Sequence, residues 1–169
     1  HATCMDLFDR GQYIDWHGNE PPESWREAMP EDILRAAGGE YPDLVELSAP
    51  CKGLSGLLSS AKSNSSKYQA LNRLTVRGVF LTLEAFQKDL PSVIFFENVP
   101  RIQTRGADLI ATMKGMLESY GYAMHCGVHN AGKLSGGGQN RIRFFMIARN
   151  VAKVPKLIYK PRELPLRSI

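Results

Sequence analysis

Ser48-Ala49-Pro50-Cys51-Lys52-Gly53-Leu54-Ser55-Gly56 follows a short apolar run, Leu44-Val45-Glu46-Leu47, with the length and character of a buried strand. Pro50 has no N–H to give to a sheet ladder, so the strand ends there. Cys51 then stands at the mouth of the next loop, where Gly53 and Gly56 let the backbone turn. Strand ends of this kind are where α/β sheets place their chemistry. Taken alone, Cys51 fits a small buried hydrophobe as well as a nucleophile. The surrounding chain decides between the two.

Ser92-Val93-Ile94-Phe95-Phe96 reads as a second buried strand. It delivers Glu97-Asn98-Val99-Pro100 to a loop, as the first delivers Cys51. If the two strands are neighbours, Cys51 and Glu97 emerge on one edge of the sheet. Between them, the polar stretch 59–67 reads as a flexible linker, or over 56–67 as a mobile lid offering Lys62 and Lys67 to phosphates. Leu71, Leu74, Val79, Phe80, Leu83 and Phe86 then space a helix from Tyr68 to about Lys88.

Further on, residues 107–120 predict an amphipathic helix stopped at Gly121, and Tyr122–Val128 and Phe144–Ala148 predict two strands. The Gly136-Gly137-Gly138 run between them lacks the Lys and Ser/Thr of a phosphate loop and reads as a plain turn. At the other end, residues 1–10 read as the end of a helix stopped by Gly11, and residues 11–25 as a loop or short strand. Pro30-Glu31-Asp32 opens a short helix that Gly38-Gly39 closes. This order predicts an α/β fold with a mainly parallel sheet and an antiparallel strand pair near the C-terminus.

The 169 residues suffice for one domain with its own core. No apolar run is long enough to cross a membrane. The N-terminal residues show no signal-peptide pattern, and three cysteines, Cys4, Cys51 and Cys126, do not make a disulfide framework. A reducing, cytoplasmic setting is expected. Charge is segregated: residues 1–50 hold 11 Asp/Glu against 3 Lys/Arg, and the remainder 18 Lys/Arg against 6 Asp/Glu. A basic half is the footprint of a nucleic-acid binder, or a solvated basic surface. The chain begins without Met and ends without a clear terminal element, so it is expected to be a piece of something longer.

A thiol and a carboxyl on one edge suit nucleophilic attack assisted by a proton donor. The bland alternative for Glu97 is pairing with Arg101 or Arg105. In Gln139-Asn140-Arg141-Ile142-Arg143, strand alternation puts both arginines on one face, where they repel unless an anion lies between them. A phosphate, a base edge or Glu97 would serve. His125-Cys126-x-x-His129 has a metal-like spacing, but on a strand His125 and Cys126 point to opposite faces, and no metal is expected.

Pro50-Cys51 with Ser55, then Arg77-Gly78-Val79-Phe80-Leu81, Glu97-Asn98-Val99 and Gln139-x-Arg141-x-Arg143, in this order, resemble the cytosine-5 DNA methyltransferases over about residues 25 to 150. The resemblance implies a Rossmann-like methyltransferase fold with S-adenosylmethionine as cofactor and double-stranded DNA as partner. Cys51 would attack C6 of a flipped-out cytosine, Glu97 would protonate or hydrogen-bond N3, and Arg141 would hold O2 and orient Glu97. Pro50 and Phe80 match cofactor contacts, and Glu27 or Asp32 would be the acidic residue near the adenine. Ser55, Lys52, Asn98 and Arg143 would contact nucleic acid or support the loop.

The family's Gly-rich cofactor loop has no counterpart, since Asp6-Leu7-Phe8-Asp9-Arg10-Gly11 only begins like it. Lys52 and Leu54 replace the family's usual Gln and Phe. Residues 1–150 are therefore expected to be a partial catalytic domain, inactive alone, and residues 151–169 a basic extension toward a target-recognition region. Competing readings are the tRNA-methylating branch of the same fold, a non-catalytic DNA- or partner-binding remnant, and a thiol hydrolase using Cys51 with His129 and Asn130.

Overall fold

The computed structural model describes residues 2–50, 52–54, 59–136, 138–156 and 164–165. In chain order the elements are α1 (Arg10–His17), α2 (Pro30–Ala36), β1 (Leu44–Leu47), α3 (Ser60–Ser63), α4 (Ser66–Ala85), β2 (Val93–Asn98), α5 (Ile102–Arg105), α6 (Ala107–Ser119), β3 (Tyr122–Asn130), α7 (Ala131–Ser135) and β4 (Ile142–Asn150). No helix among the described residues is long and apolar enough to cross a membrane.

The strands form one sheet in the order β1-β2-β4-β3. Alternation decides its faces. Ile94, Phe96, Phe144, Met146 and Ala148 are buried and join Val79 and Leu83 of α4 and Met113 and Leu117 of α6 in a single apolar core. The intervening residues point the other way, where Phe95 and Phe145 stack with ring centroids 5.4 Å apart. The fold is thus α/β, with α4 and α6 layered on one face of the sheet.

The expected mainly parallel sheet is corrected in its pairings. β1 runs parallel to β2, but β4 is antiparallel both to β2 and to β3. Three strands share one direction, and the reversed β4 lies between two of them rather than at an edge. The core-facing side of β4 fits this inner position: Phe144, Met146 and Ala148 are each 1% exposed.

Two further expectations give way. Residues 1–10 are not the end of a helix, and Gly11 does not stop one; a helix starts at Arg10 and runs through what read as a loop. Its signal is a capping box: Asp9 accepts the Gln12 N–H at 2.7 Å, and the Gln12 side chain accepts the Asp9 N–H at 3.0 Å. Gly18, at φ 79°, closes it in the left-handed conformation. The polar stretch 59–67 is helical too, as α3 and the start of α4. Small hydroxyls satisfy its backbone: Ser65 Oγ donates to the Lys62 carbonyl at 2.8 Å, and Ser65 is the N-cap residue of α4. Residues 56–58 lie outside the described residues.

Two ionic knots fasten the acidic N-terminal segment. Arg77 of α4 is only 11% exposed in its side chain. It donates to the Leu7 carbonyl at 2.6 Å, the Ala28 carbonyl at 2.8 Å and the Glu27 carboxylate at 2.8 Å. Asp32, 7% exposed, accepts two bonds from Arg26, one from Arg35 and one from the Met29 N–H that opens α2. The hydrogen bonds from Arg26 hold the Asp32 carboxyl well below the usual carboxylate range, with the Met29 amide and the charge of Arg35 adding to the effect.

A folded-state carboxyl lowered in this way stabilises the protein above its unfolded value, near pH 4, and the contribution fades as pH falls below it. Asp32→Asn is therefore expected to melt at a lower temperature than the parent at pH 7. The gap should narrow below about pH 4, and also at high salt because both arginines are largely solvated. Circular-dichroism melts of the pair across pH check this, and a gap that widens on acidification would contradict it.

Candidate functional site at the sheet edge

β1 and β2 run parallel in the register Leu47 opposite Phe96, so the next pair along is Ser48 beside Glu97. Ser48 Oγ donates to Glu97 Oε2 at 3.2 Å. The other carboxylate oxygen, Oε1, forms an ion pair with Arg143, 2.8 Å from its Nε, and faces Arg141 Nη2 at 3.6 Å. Glu97 lies inside β2, one residue before its end, rather than in the loop expected from the sequence.

Strand reversal makes this cluster possible. Because β4 is antiparallel to β2, the start of β4 meets the end of β2, and Arg143 reaches Glu97 from the neighbouring strand. Arg141 precedes β4 and is pinned by Asn130: the Arg141 N–H donates to Asn130 Oδ1 at 3.2 Å, and Asn130 Nδ2 donates to Asn140 Oδ1 at 2.8 Å. Asn130 also caps α7 through the Gly132 N–H at 3.1 Å.

The carboxylate separates two guanidiniums that would otherwise repel. Burial grades outward, from Glu97 at 18% through Arg143 at 25% to Arg141 at 49% side-chain exposure. Arg143 is the close partner that holds Glu97, while Arg141 keeps much of its fork in solvent. An approaching planar polar ring would meet a carboxyl group and a guanidinium side by side, one able to bind a ring nitrogen or amine, the other a carbonyl oxygen. Among the described residues neither Arg101 nor Arg105 pairs with Glu97; its partners are Ser48, just past β1, and Arg141 and Arg143, before and within β4.

The other predicted residues fall as follows. Cys51 and Ser55 lie outside the described residues. Pro50 and Lys52 are exposed, one on each side of Cys51 in the chain. Asn98 is 1% exposed, and its Oδ1 accepts the Val99 N–H at 2.8 Å, so it shapes the turn after β2 from within and presents no surface to nucleic acid. Phe80 projects from α4 at 42% exposure. The two acids proposed near the adenine are both engaged: Asp32 as above, and Glu27 with Arg77 on one oxygen and the Arg10 N–H on the other at 3.2 Å. His125 is exposed, whereas Cys126 packs against the core. No group of three or more metal-ligating side chains comes together among the described residues.

Sequence reasoning missed Ser48, and gave Asn130 only a place beside Cys51 in a hydrolase reading rather than the role of capping α7 and holding Arg141. Ser48 has the parity of Glu46, and Glu46 pairs with Phe95, so correct register alone would have placed it beside Glu97. Asn130 carried the ordinary signal of a helix cap, hidden because α7 is a single short turn.

A family model described as C-5 cytosine-specific DNA methylase matches residues 24–165. Among curated protein sequences nothing matches the chain. Solved structures share its fold. One from Escherichia coli, described as a DNA modification methyltransferase encoded within a prophage, is 21% identical with a TM-score of 0.60, over 83% of this chain and 37% of that one. The Entamoeba histolytica methyltransferase EhMeth is 16% identical with a TM-score of 0.55, over 96% and 48%. A mutant of Spodoptera frugiperda DNMT2 is 15% identical with a TM-score of 0.51, over 92% and 44%. The chain spans about half or less of each of these proteins.

If Glu97 is what keeps Arg141 and Arg143 together, Glu97→Gln should create an anion site from the two unneutralised guanidiniums. Added inorganic phosphate is then expected to raise the melting temperature of the variant but not of the parent. A gain on the order of 1 kcal/mol corresponds to phosphate at about five times its Kd. Equal shifts in the two proteins, measured by scanning calorimetry at constant ionic strength, would refute the arrangement.

Proposed function

Because the chain belongs to the C-5 cytosine-specific DNA methylase family, we propose that it is catalytic core of a DNA (cytosine-5)-methyltransferase acting on a cytosine flipped out of a duplex. The observation that carries this reading is the Glu97 carboxylate held by Ser48, Arg141 and Arg143, with Ser48 three residues ahead of Cys51 in the chain. The Cys51 thiolate adds to C6 of the base, forming a C6–S bond. Glu97 supplies the hydrogen bond or proton at N3 that lets the ring accept the displaced electrons. Arg141, the more exposed guanidinium, takes the O2 carbonyl, and Arg143 keeps Glu97 in place. C5 then becomes nucleophilic; after alkylation, loss of its proton and expulsion of the thiolate restore the aromatic ring.

S-adenosylmethionine, when bound, supplies the electrophilic methyl group on its sulfonium sulfur. The exposed Phe80 ring fits the apolar part of such a cofactor, since the helix around it is otherwise largely buried. Pro50 offers a second apolar surface. An adenine contact from Glu27 or Asp32 would require one of their internal pairs to open. Lys52 and the basic second half of the chain suit a nucleic-acid backbone.

Cys51→Ser in the full-length protein is the decisive variant. A neutral hydroxyl has almost no oxyanion at pH 7, whereas a thiol starts near pKa 8.5 and is easily lowered. Methyl transfer from labelled S-adenosylmethionine should fall at least about a thousandfold, ~4 kcal/mol in the barrier. Duplex affinity at one fixed salt concentration should stay within about threefold, because backbone contacts dominate it. Parallel assays with duplex DNA and with tRNA identify the substrate class. A serine variant that methylates within tenfold of the parent would remove Cys51 from the mechanism.

A further inference from the structure

Asn72 is 1% exposed in the middle of α4, and its Oδ1 makes no hydrogen bond. Thr75, one turn along the same helix and 2% exposed, has an unpartnered hydroxyl as well. Buried polar groups without partners destabilise a fold, and an apolar side chain of similar size would remove the penalty. Their position gives them a use. Asn72 lies against Gly53: a Cβ built on Gly53 would meet Asn72 Oδ1 and Nδ2 at 2.8 Å each.

Gly53 is not among the glycines with positive φ, so its backbone does not call for glycine. What excludes a side chain there is the Asn72 amide. The next residue, Leu54, is 1% exposed in the core and reaches the junction of α5 and α6, where a Cβ on Gly106 would lie 3.4 Å from its Cδ2. The chain just after Cys51 is therefore clamped twice, by a polar seat under Gly53 and an apolar anchor at Leu54.

We propose that Asn72 is a positioning residue, whose buried amide packs under Gly53 and limits where the backbone two residues after Cys51 can lie. The assignment rests on the reading of Cys51 as nucleophile. Gly53 is two residues from Cys51, which limits how far one can shift without the other. A nucleophile misplaced by about an ångström can lose about a hundredfold in rate.

The test is a double-mutant cycle in the full-length protein with Gly53→Ala and Asn72→Ala, and Asn72→Ser as a second route to the same space. Two readouts are taken. One is the iodoacetamide alkylation rate of Cys51, followed by peptide mapping with exposed Cys4 as internal reference. The other is kcat and KM for methyl transfer to a duplex. Gly53→Ala alone should change Cys51 alkylation relative to Cys4 by about fivefold or more and lower kcat about tenfold with little change in KM. In either Asn72 background, room for the Cβ should reduce the effect of Gly53→Ala to within about twofold. Truncating an amide whose oxygen is unpartnered should leave the melting temperature within a few degrees, so the variants report on position and not on unfolding. Equal effects of Gly53→Ala in parent and Asn72-variant backgrounds, or no change at Cys51, would overturn the proposal. If the parent methylates neither DNA nor tRNA, the catalytic reading fails, while the alkylation cycle still decides the role of Asn72.

Discussion

The direction of one strand governs the rest. β1 and β2 run parallel, and β4 runs back beside β2. This brings the ends of β1 and β2 and the start of β4 to the same edge of the sheet. Ser48, Glu97 and Arg143 occupy those three positions, with Ser48 hydrogen-bonded to Glu97 and Arg143 ion-paired with it. Had β4 been parallel to β2, its first residues would have emerged at the opposite edge. Six residues of strand at about 3.3 Å each separate the two edges by roughly 20 Å, far beyond the reach of an arginine. The departure from a mainly parallel sheet is thus what assembles the site.

A second constraint holds the N-terminal third in place. Three short segments, around Leu7, Glu27 and Asp32, have little core of their own. Arg77 joins the first two to α4 through one buried guanidinium with three acceptors. Its rigid fork suits this task where the single ammonium of lysine would not. A buried acceptor left unpaired by its removal would cost about 1–3 kcal/mol, which applies to the carbonyls more than to Glu27, since that carboxylate is 35% exposed and keeps the Arg10 N–H. Glu27 and Asp32 are consequently structural groups first, each tied by arginine within the N-terminal third.

Much of this was legible before any coordinates. Strong periodicity located α4 and α6, the apolar runs located β1 and β2, and Pro30 with the glycines at 38 and 39 bracketed α2. Arg141 and Arg143 needed an anion between them by alternation alone, and Glu97 stands there. What failed was local or global in identifiable ways. α1 starts at a capping box, Asp9 with Gln12, in a stretch whose apolar spacing is weak and whose glycine suggested a stop. The serine-rich segment 59–67 had the composition of a linker, but it is helical over most of its length, with the Ser65 hydroxyl donating to the Lys62 carbonyl between α3 and α4. Strand direction cannot be read from side-chain alternation, because reversing a strand leaves its pattern unchanged; only pairing partners fix it.

Charge segregation acquires a meaning once the pairs are known. Four of the 11 acids in the first 50 residues form ion pairs among the described residues: Asp15 with Arg73, Glu20 with Arg10, Glu27 with Arg77, and Asp32 with Arg26 and Arg35. Two of those bases, Arg73 and Arg77, reach across from α4, so the helix neutralises the acidic segment where the two are in contact. An acidic surface beside the sheet edge that carries Glu97 would repel a nucleic acid; pairing part of that charge within the chain reduces the opposition. Past residue 100 the balance inverts, with only Asp108, Glu118 and Glu163 set against 12 Lys/Arg. A polyanion of the kind proposed as substrate would therefore be drawn to the side of Arg141, half-exposed at the sheet edge, and its affinity would fall with salt in proportion to the phosphates it places there.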